Sequence, residues 1–212
     1  MEAIVVYTKF NDQNKAAIYN KWLPVLSPEL KAKNLKYHNQ DDRIRNLLGK
    51  LLLIKALELS GRGYTSLNDL YNNEFGKSYL SSDFDFNITH SGSYVFCAIG
   101  SSSLGIDIEE ILPLDFTSVK ESMNKTEWGI INNAKSPLHE YYKYWTIKES
   151  VIKADGRGFS ISLDKIRIEN NQVRIEDKTW YIRKLFFEKG YCGCLATLEI
   201  PNLIKMIYIN FD

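Results

Sequence analysis

The residues able to do chemistry gather in two stretches. In Gly105-Ile106-Asp107-Ile108-Glu109, acidic and apolar side chains alternate. Alternate side chains of a strand point to opposite faces, so Asp107 and Glu109 share one face and Ile106 and Ile108 the other. Two carboxylates at that spacing repel each other, and a cation between them removes the repulsion. Oxygen donors alone favour a hard ion, Mg²⁺ or Mn²⁺, over zinc. The same alternation also describes an ordinary strand with a solvated polar face. The second stretch is Trp145-Thr146-Ile147-Lys148-Glu149-Ser150-Val151-Ile152-Lys153-Ala154. On a helix Trp145, Glu149 and Ile152 lie along one ridge, which sets a carboxylate among large apolar groups where it needs a partner. Glu149 and Lys153 are then either an exposed ion pair worth about 0.3–0.5 kcal/mol, or a third metal ligand with a phosphate-binding lysine one turn later.

Two further segments bear on phosphate. Thr89-His90-Ser91-Gly92 reads as a turn, where an imidazole and neighbouring N–H groups can meet an anion or simply face solvent. Asp41-Asp42-Arg43-Ile44-Arg45 opens a long helix whose N-terminus favours anions. Lys31, Lys33 and Lys36 precede it as a basic rim or a solvated loop. No G-x-x-x-x-G-K-[ST], H-E-x-x-H or G-x-S-x-G segment is present, and Gly156-Arg157-Gly158 is too short for a dinucleotide fingerprint.

The elements that must carry these groups follow from periodicity. Strands are expected at 3–8, 84–88, 93–99 and 104–109, the last three as an antiparallel meander. Helices are expected at 13–23, stopped by Pro24, and at 41–60, capped by Asp41 and Asp42, with Ile44, Leu47, Leu48, Leu51 and Leu52 on one face. The stretch 64–80 reads as irregular or weakly helical. Further helices are expected at about 117–131 and 139–154, then strands near 165–169, 172–176, 179–187, 191–200 and 204–209. Gly92-Ser93-Tyr94-Val95-Phe96-Cys97-Ala98 resembles Gly190-Tyr191-Cys192-Gly193-Cys194-Leu195-Ala196, a faint internal repeat. The expected fold is α+β, with two pseudo-symmetric halves, 1–110 and 111–212, each an antiparallel sheet packed with a long helix.

Composition excludes several classes. The 212 residues are 44% hydrophobic and 25% charged with a formal net charge of +1, as for a globular protein, and no basic run of the kind that tracks a nucleic-acid backbone stands out. Cys97, Cys192 and Cys194 have no disulfide-framework spacing and read as reduced thiols. The start Met1-Glu2-Ala3-Ile4 lacks a signal peptide's basic and long apolar regions, and the apolar run Leu51–Ile54 is too short to span a bilayer. The expectation is a cytoplasmic protein with no membrane partner.

Together the chemical segments resemble the 4′-phosphopantetheinyl transferase superfamily. Its G-[IV]-D-[IVL]-E segment stands here as Gly105–Glu109, and its later [FW]-[ST]-x-K-E-[SA]-x-x-K segment as Trp145–Lys153. Phe86-Asn87-Ile88-Thr89-His90-Ser91-Gly92 and Lys125-Thr126-Glu127-Trp128 are similar to two more family stretches, so the resemblance runs from about residue 37 to 160. The chain's length resembles the longer, surfactin-synthetase-activating branch, which implies a monomer of two pseudo-symmetric halves. The resemblance implies transfer of 4′-phosphopantetheine from coenzyme A to a serine of an apo acyl or peptidyl carrier protein, releasing 3′,5′-ADP. It implies Asp107, Glu109 and Glu149 as ligands of Mg²⁺ or Mn²⁺, Glu149 as candidate base and Lys153 on the pyrophosphate. It implies His90 and Arg45 at the 3′-phosphate, and Lys77 in a loop beside the adenine, where Ser78 replaces the family's proline. Apolar groups within 112–131 are expected to meet the carrier. A non-catalytic coenzyme A- or carrier-binding module, or another magnesium-dependent phosphoryl-transfer enzyme, are the alternatives.

Overall fold

The computed structural model of the chain describes residues 1–63, 67–80 and 83–212. The chain begins with β1 (Glu2–Lys9), α1 (Lys15–Trp22), α2 (Pro28–Leu35) and α3 (Gln40–Leu59). A short hairpin, β2 (Tyr71–Asn72) and β3 (Ser78–Tyr79), leads to β4 (Asp85–Ser91), β5 (Tyr94–Gly100) and β6 (Leu104–Glu110). Next come α4 (Lys125–Asn133) and α5 (Pro137–Asp155). The chain continues through β7 (Ile168–Glu169), β8 (Gln172–Ile175), β9 (Lys178–Lys184), β10 (Tyr191–Thr197) and β11 (Leu203–Tyr208).

The architecture is α+β, with two sheets ordered β11-β1-β5-β4 and β6-β10-β9-β8-β7. The halves share a core arrangement, although the first sheet has four strands and the second five. β5 lies between β1 and β4, and β10 between β6 and β9, each antiparallel to both neighbours. These central strands are the two copies of the faint repeat, and Ala98 and Ala196 are both buried in them. One face of the first sheet packs on α3 through Val6, Ile44, Leu48, Val95 and Cys97. The matching face of the second packs on α5 through Ile147, Val151, Trp180 and Cys194. The opposite faces of the two sheets meet each other, with Val5, Phe96 and Ala98 against Ile106, Ile108 and Leu195. All three cysteines are buried and free. Among the described residues no helix is long and apolar enough to cross a membrane.

Several expectations are corrected. β4 and β5 form a hairpin, but β6 does not complete a meander: it pairs with β10, in the register Asp107↔Cys194, as an edge of the second sheet. β11 in turn joins the first sheet, parallel to β1. The two chain segments thus exchange strands, a non-local pairing that tight-turn rules do not anticipate. Lys31 and Lys33 lie on a helix, α2, whose N-cap Ser27 accepts from the Leu30 N–H and whose first residue is Pro28. The cap of α3 is Asn39, not Asp41 or Asp42. The helix expected from 117 begins only at Lys125, where Asn124 and Glu127 form a capping box. Of the stretch expected to be irregular, 64–66 lie outside the described residues, and 67–80 hold a 3-10 turn and the β2–β3 hairpin.

Candidate active site

Asp107 and Glu109 lie on the α5-facing side of β6, because Ile106 and Ile108 turn into the core between the sheets. α5 sits flush on this strand at Gly105, where an added Cβ would lie 2.2 Å from the Ser150 carbonyl oxygen and 2.3 Å from the Ala154 nitrogen. Only a residue without a side chain permits that approach. It brings Lys153 to Asp107: the ammonium donates to Asp107 Oδ1 at 2.5 Å and to Thr89 Oγ1 at 3.3 Å. Lys153 makes this bond instead of an i,i+4 pair with Glu149.

The remaining carboxylate oxygens are unevenly satisfied. Glu109 Oε2 accepts from Ser91 Oγ at 2.8 Å and its Oε1 from Trp145 Nε1 at 3.4 Å. Asp107 Oδ2 and Glu149 Oε1 are buried and have no partner. An orphaned buried carboxylate oxygen is costly, and two beside one lysine leave negative charge uncompensated. Burial raises the Asp107 carboxyl, and Lys153 pulls it back. Burial and then the Asp107 charge raise Glu109. Burial raises Glu149 to about 7, further aided by Asp107 and Glu109 and opposed by Lys153. The donor set is all oxygen, acidic and short of one cation, which fits a hard divalent ion. Among the described residues no three His, Cys, Asp or Glu side chains are already gathered at metal-holding separation. Lys153 occupies Asp107 instead.

Glu149 and Lys153 open into a cleft of about 380 Å³, lined also by Phe75, Gly76, Asn87 and Gly156. The other sequence-derived candidates divide. His90 is exposed and is the penultimate residue of β4 rather than part of a turn; the turn is Gly92-Ser93, with Gly92 at φ +54°. Although its surface is exposed, partial desolvation by the surrounding chain and then the charges of Arg45 and Lys153 lower the His90 imidazole. Arg45 is thus close to His90, yet its guanidinium is engaged, donating through Nε and Nη2 to the Gly92 carbonyl at 3.1 and 2.8 Å and through Nη1 to Asp42 at 3.1 Å. Lys77 borders the cleft, but its ammonium is buried away from it. It donates to Asp85 Oδ2 at 2.6 Å, the Ala154 carbonyl at 3.0 Å and the Leu104 carbonyl at 3.2 Å. Its three donors are used, so it ties the residue before β3 to β4, β6 and α5.

Three further groups enter the site that their immediate sequence context does not mark. Thr89 and Ser91 hold the two β6 carboxylates, and their signal was the alternating polar set Asp85, Asn87, Thr89 and Ser91 along β4. Lys148 lies fully buried, donating to Glu127 Oε2 at 2.6 Å, the Leu163 carbonyl at 2.9 Å and the Ser122 carbonyl at 3.0 Å. It pins the loops before α4 and after α5 to the helix that carries Glu149.

Residues 103–196 match the family model described as the 4′-phosphopantetheinyl transferase superfamily. The 4′-phosphopantetheinyl transferase gsp of Aneurinibacillus migulanus is 32% identical over 94% of this chain and 88% of its own length. The chain belongs to the 4′-phosphopantetheinyl transferase superfamily. The 4′-phosphopantetheinyl transferase Sfp of Bacillus subtilis (strain 168) is 31% identical, covering 88% of this chain and 89% of that one. A further Bacillus subtilis 4′-phosphopantetheinyl transferase is 31% identical over 74% of this chain and 73% of its own. The superfamily match covers β6, α5 and most of β10, the elements that carry Asp107, Glu109, Glu149 and Lys153.

Proposed function

We propose that the chain transfers the 4′-phosphopantetheine group of coenzyme A to a serine of an apo acyl or peptidyl carrier protein. In this reading Asp107, Glu109 and Glu149 hold Mg²⁺ or Mn²⁺, and 3′,5′-ADP leaves. The observation that carries it is the pair of buried, unpartnered oxygens, Asp107 Oδ2 and Glu149 Oε1, beside Lys153 at the cleft. A divalent ion at those carboxylates supplies neutralisation of charge building on the pyrophosphate. Lys153, one turn beyond Glu149, places its ammonium against the leaving bisphosphate and stabilises it electrostatically. The carrier serine oxygen attacks the β-phosphorus, the bond to the α-phosphate oxygen breaks, and Glu149 is the candidate acceptor for the serine proton. His90 meets a coenzyme A phosphate from β4, donating one N–H. Lys77 shapes the adenine side of the cleft through its loop, not its charge.

The carrier approaches across a groove of about 1090 Å³ between residues 117–126 and 161–164, bounded by Trp145 and Arg167. Leu112 and Ile130 are exposed nearby in sequence and supply apolar contact. The chain acts as a cytoplasmic monomer in this reading, with coenzyme A and the carrier as its partners. Release of 3′,5′-ADP with and without apo carrier tests the reaction class. Release only when carrier is present supports transfer. Release from coenzyme A alone would mean hydrolysis of its pyrophosphate anhydride, and no release with coenzyme A bound would mean a binding module.

A further inference from the structure

We propose that Ser91 is a positioning residue: its hydroxyl, carried by the first sheet, fixes the Glu109 carboxylate of the second in the orientation that binds the cation. The proposal rests on the reading of Glu109 as a ligand. β4 and β6 are edge strands of different sheets. They are joined not by a backbone ladder but by alternate side chains of β4. Asp85 Oδ2 accepts the Leu104 N–H at 2.9 Å, and Asn87 Oδ1 accepts the Ile106 N–H at 3.0 Å. Thr89 Oγ1 donates to Asp107 Oδ1 at 3.2 Å, and Ser91 Oγ donates to Glu109 Oε2 at 2.8 Å. The β4 residues step by two, and the β6 N–H donors Leu104, Ile106 and Glu110 share one parity, which makes this a register. The first two contacts align the backbones, and the last two align the carboxylates.

Ser91 is held from two sides, as Thr89 is by Asp107 and Lys153. Its oxygen also accepts the Glu110 N–H at 3.0 Å, so its donor points to Glu109 in a single arrangement. The turn after it is tied to α3 and closely packed. Arg45 holds the Gly92 carbonyl with two N–H groups, and a Cβ at Gly92 would lie 2.4 Å from both Glu110 Oε2 and the Tyr191 hydroxyl. The chain Asp42–Arg45–Gly92–Ser91–Glu109 therefore runs from α3 to the acidic face of β6. On the other side Trp145 Nε1 reaches Glu109 Oε1 only at 3.4 Å, too long to orient the group alone. Groups that hydrogen-bond a metal ligand without touching the metal set its orientation, and losing one costs about 10- to 100-fold in metal affinity.

The test is Mn²⁺ binding, followed by electron paramagnetic resonance, to the full chain with coenzyme A present and no carrier. Ser91→Ala is expected to bind Mn²⁺ about tenfold more weakly. Ser91→Thr, which keeps the hydroxyl, is expected within about threefold of the parent by the same reasoning. If Ser91→Ala fails to fold, Ser91→Cys, of similar size with a weak donor, carries the test and is expected to lose several-fold. Thermal unfolding of the same variants separates a general loosening from a loss of affinity. Parent-like Mn²⁺ affinity in Ser91→Ala, with Glu109→Gln strongly weakened, would overturn the positioning role alone. Parent-like affinity in Glu109→Gln would overturn the ligand reading beneath it.

Discussion

Glu149→Gln should stabilise the metal-free protein at alkaline pH and leave it nearly unchanged in acid. Burial beside Asp107 and Glu109 holds the Glu149 carboxyl near 7, against an ordinary value of 4.5. Below 4.5 the group is protonated in both folded and unfolded chains and contributes nothing. Between 4.5 and 7 the folded chain binds the extra proton, so stability falls as pH rises, and above 7 the full penalty is present. That interval corresponds to about 3 kcal/mol, reduced to about 2 kcal/mol by residual water contact. Glutamine has the same shape and no charge, and Lys153 keeps its bond to Asp107. Thermal unfolding in the presence of chelator should therefore show the variant about 4–8 °C more stable than the parent at pH 8, with the difference shrinking as pH falls and vanishing only below 4.5. Other titrating groups are shared, so the difference isolates Glu149. Mg²⁺ at pH 8 should raise the parent's midpoint and leave the variant's nearly unmoved. A pH-independent difference, or a variant less stable at pH 8, would refute the argument that Glu149 is an uncompensated buried charge.

Other expectations follow from the same contacts. Lys77→Met leaves Asp85 buried without its ammonium and should cost about 3–5 kcal/mol in chemical denaturation; an effect confined to the KM for coenzyme A would restore the adenine-site role. Gly105→Ala drives a methyl into the backbone of α5, which cannot swing aside, and should cost about 3 kcal/mol or more. Calorimetric Mg²⁺ affinity should weaken as pH falls below 7, since a protonated Glu149 is no ligand; constant affinity from pH 8 to pH 5.5 would argue against its ligation.

Much of the site was legible because it is local. Asp107 and Glu109 share a face by strand geometry alone, and Glu149 lies among apolar groups on α5 by helix geometry alone. The long helices announced themselves by apolar spacing, and Gly92–Ala98 against Gly190–Ala196 marked the equivalent central strands. What was not legible depends on partners distant in sequence. The alternation of Asp85, Asn87, Thr89 and Ser91 was visible, but nothing local says that their face meets β6 and not water. The turn after β5 suggested a meander, while β6 finds its ladder partner in β10. Arg45 and Lys77 have the charge a phosphate site wants, yet three acceptors consume Lys77 and the Gly92 carbonyl consumes much of Arg45. The Ser27-Pro28 start of α2 was a readable signal, masked by the lysines that follow.

The most direct measurement is the intact mass of an apo carrier protein after incubation with the chain, coenzyme A and Mg²⁺. The expected result is a gain of one phosphopantetheine, abolished by chelator, restored by Mg²⁺ or Mn²⁺, and lost in Glu149→Gln. Undiminished transfer in chelator or in that variant would contradict the carboxylate-held cation. No gain on acyl or peptidyl carriers would contradict the transferase reading itself.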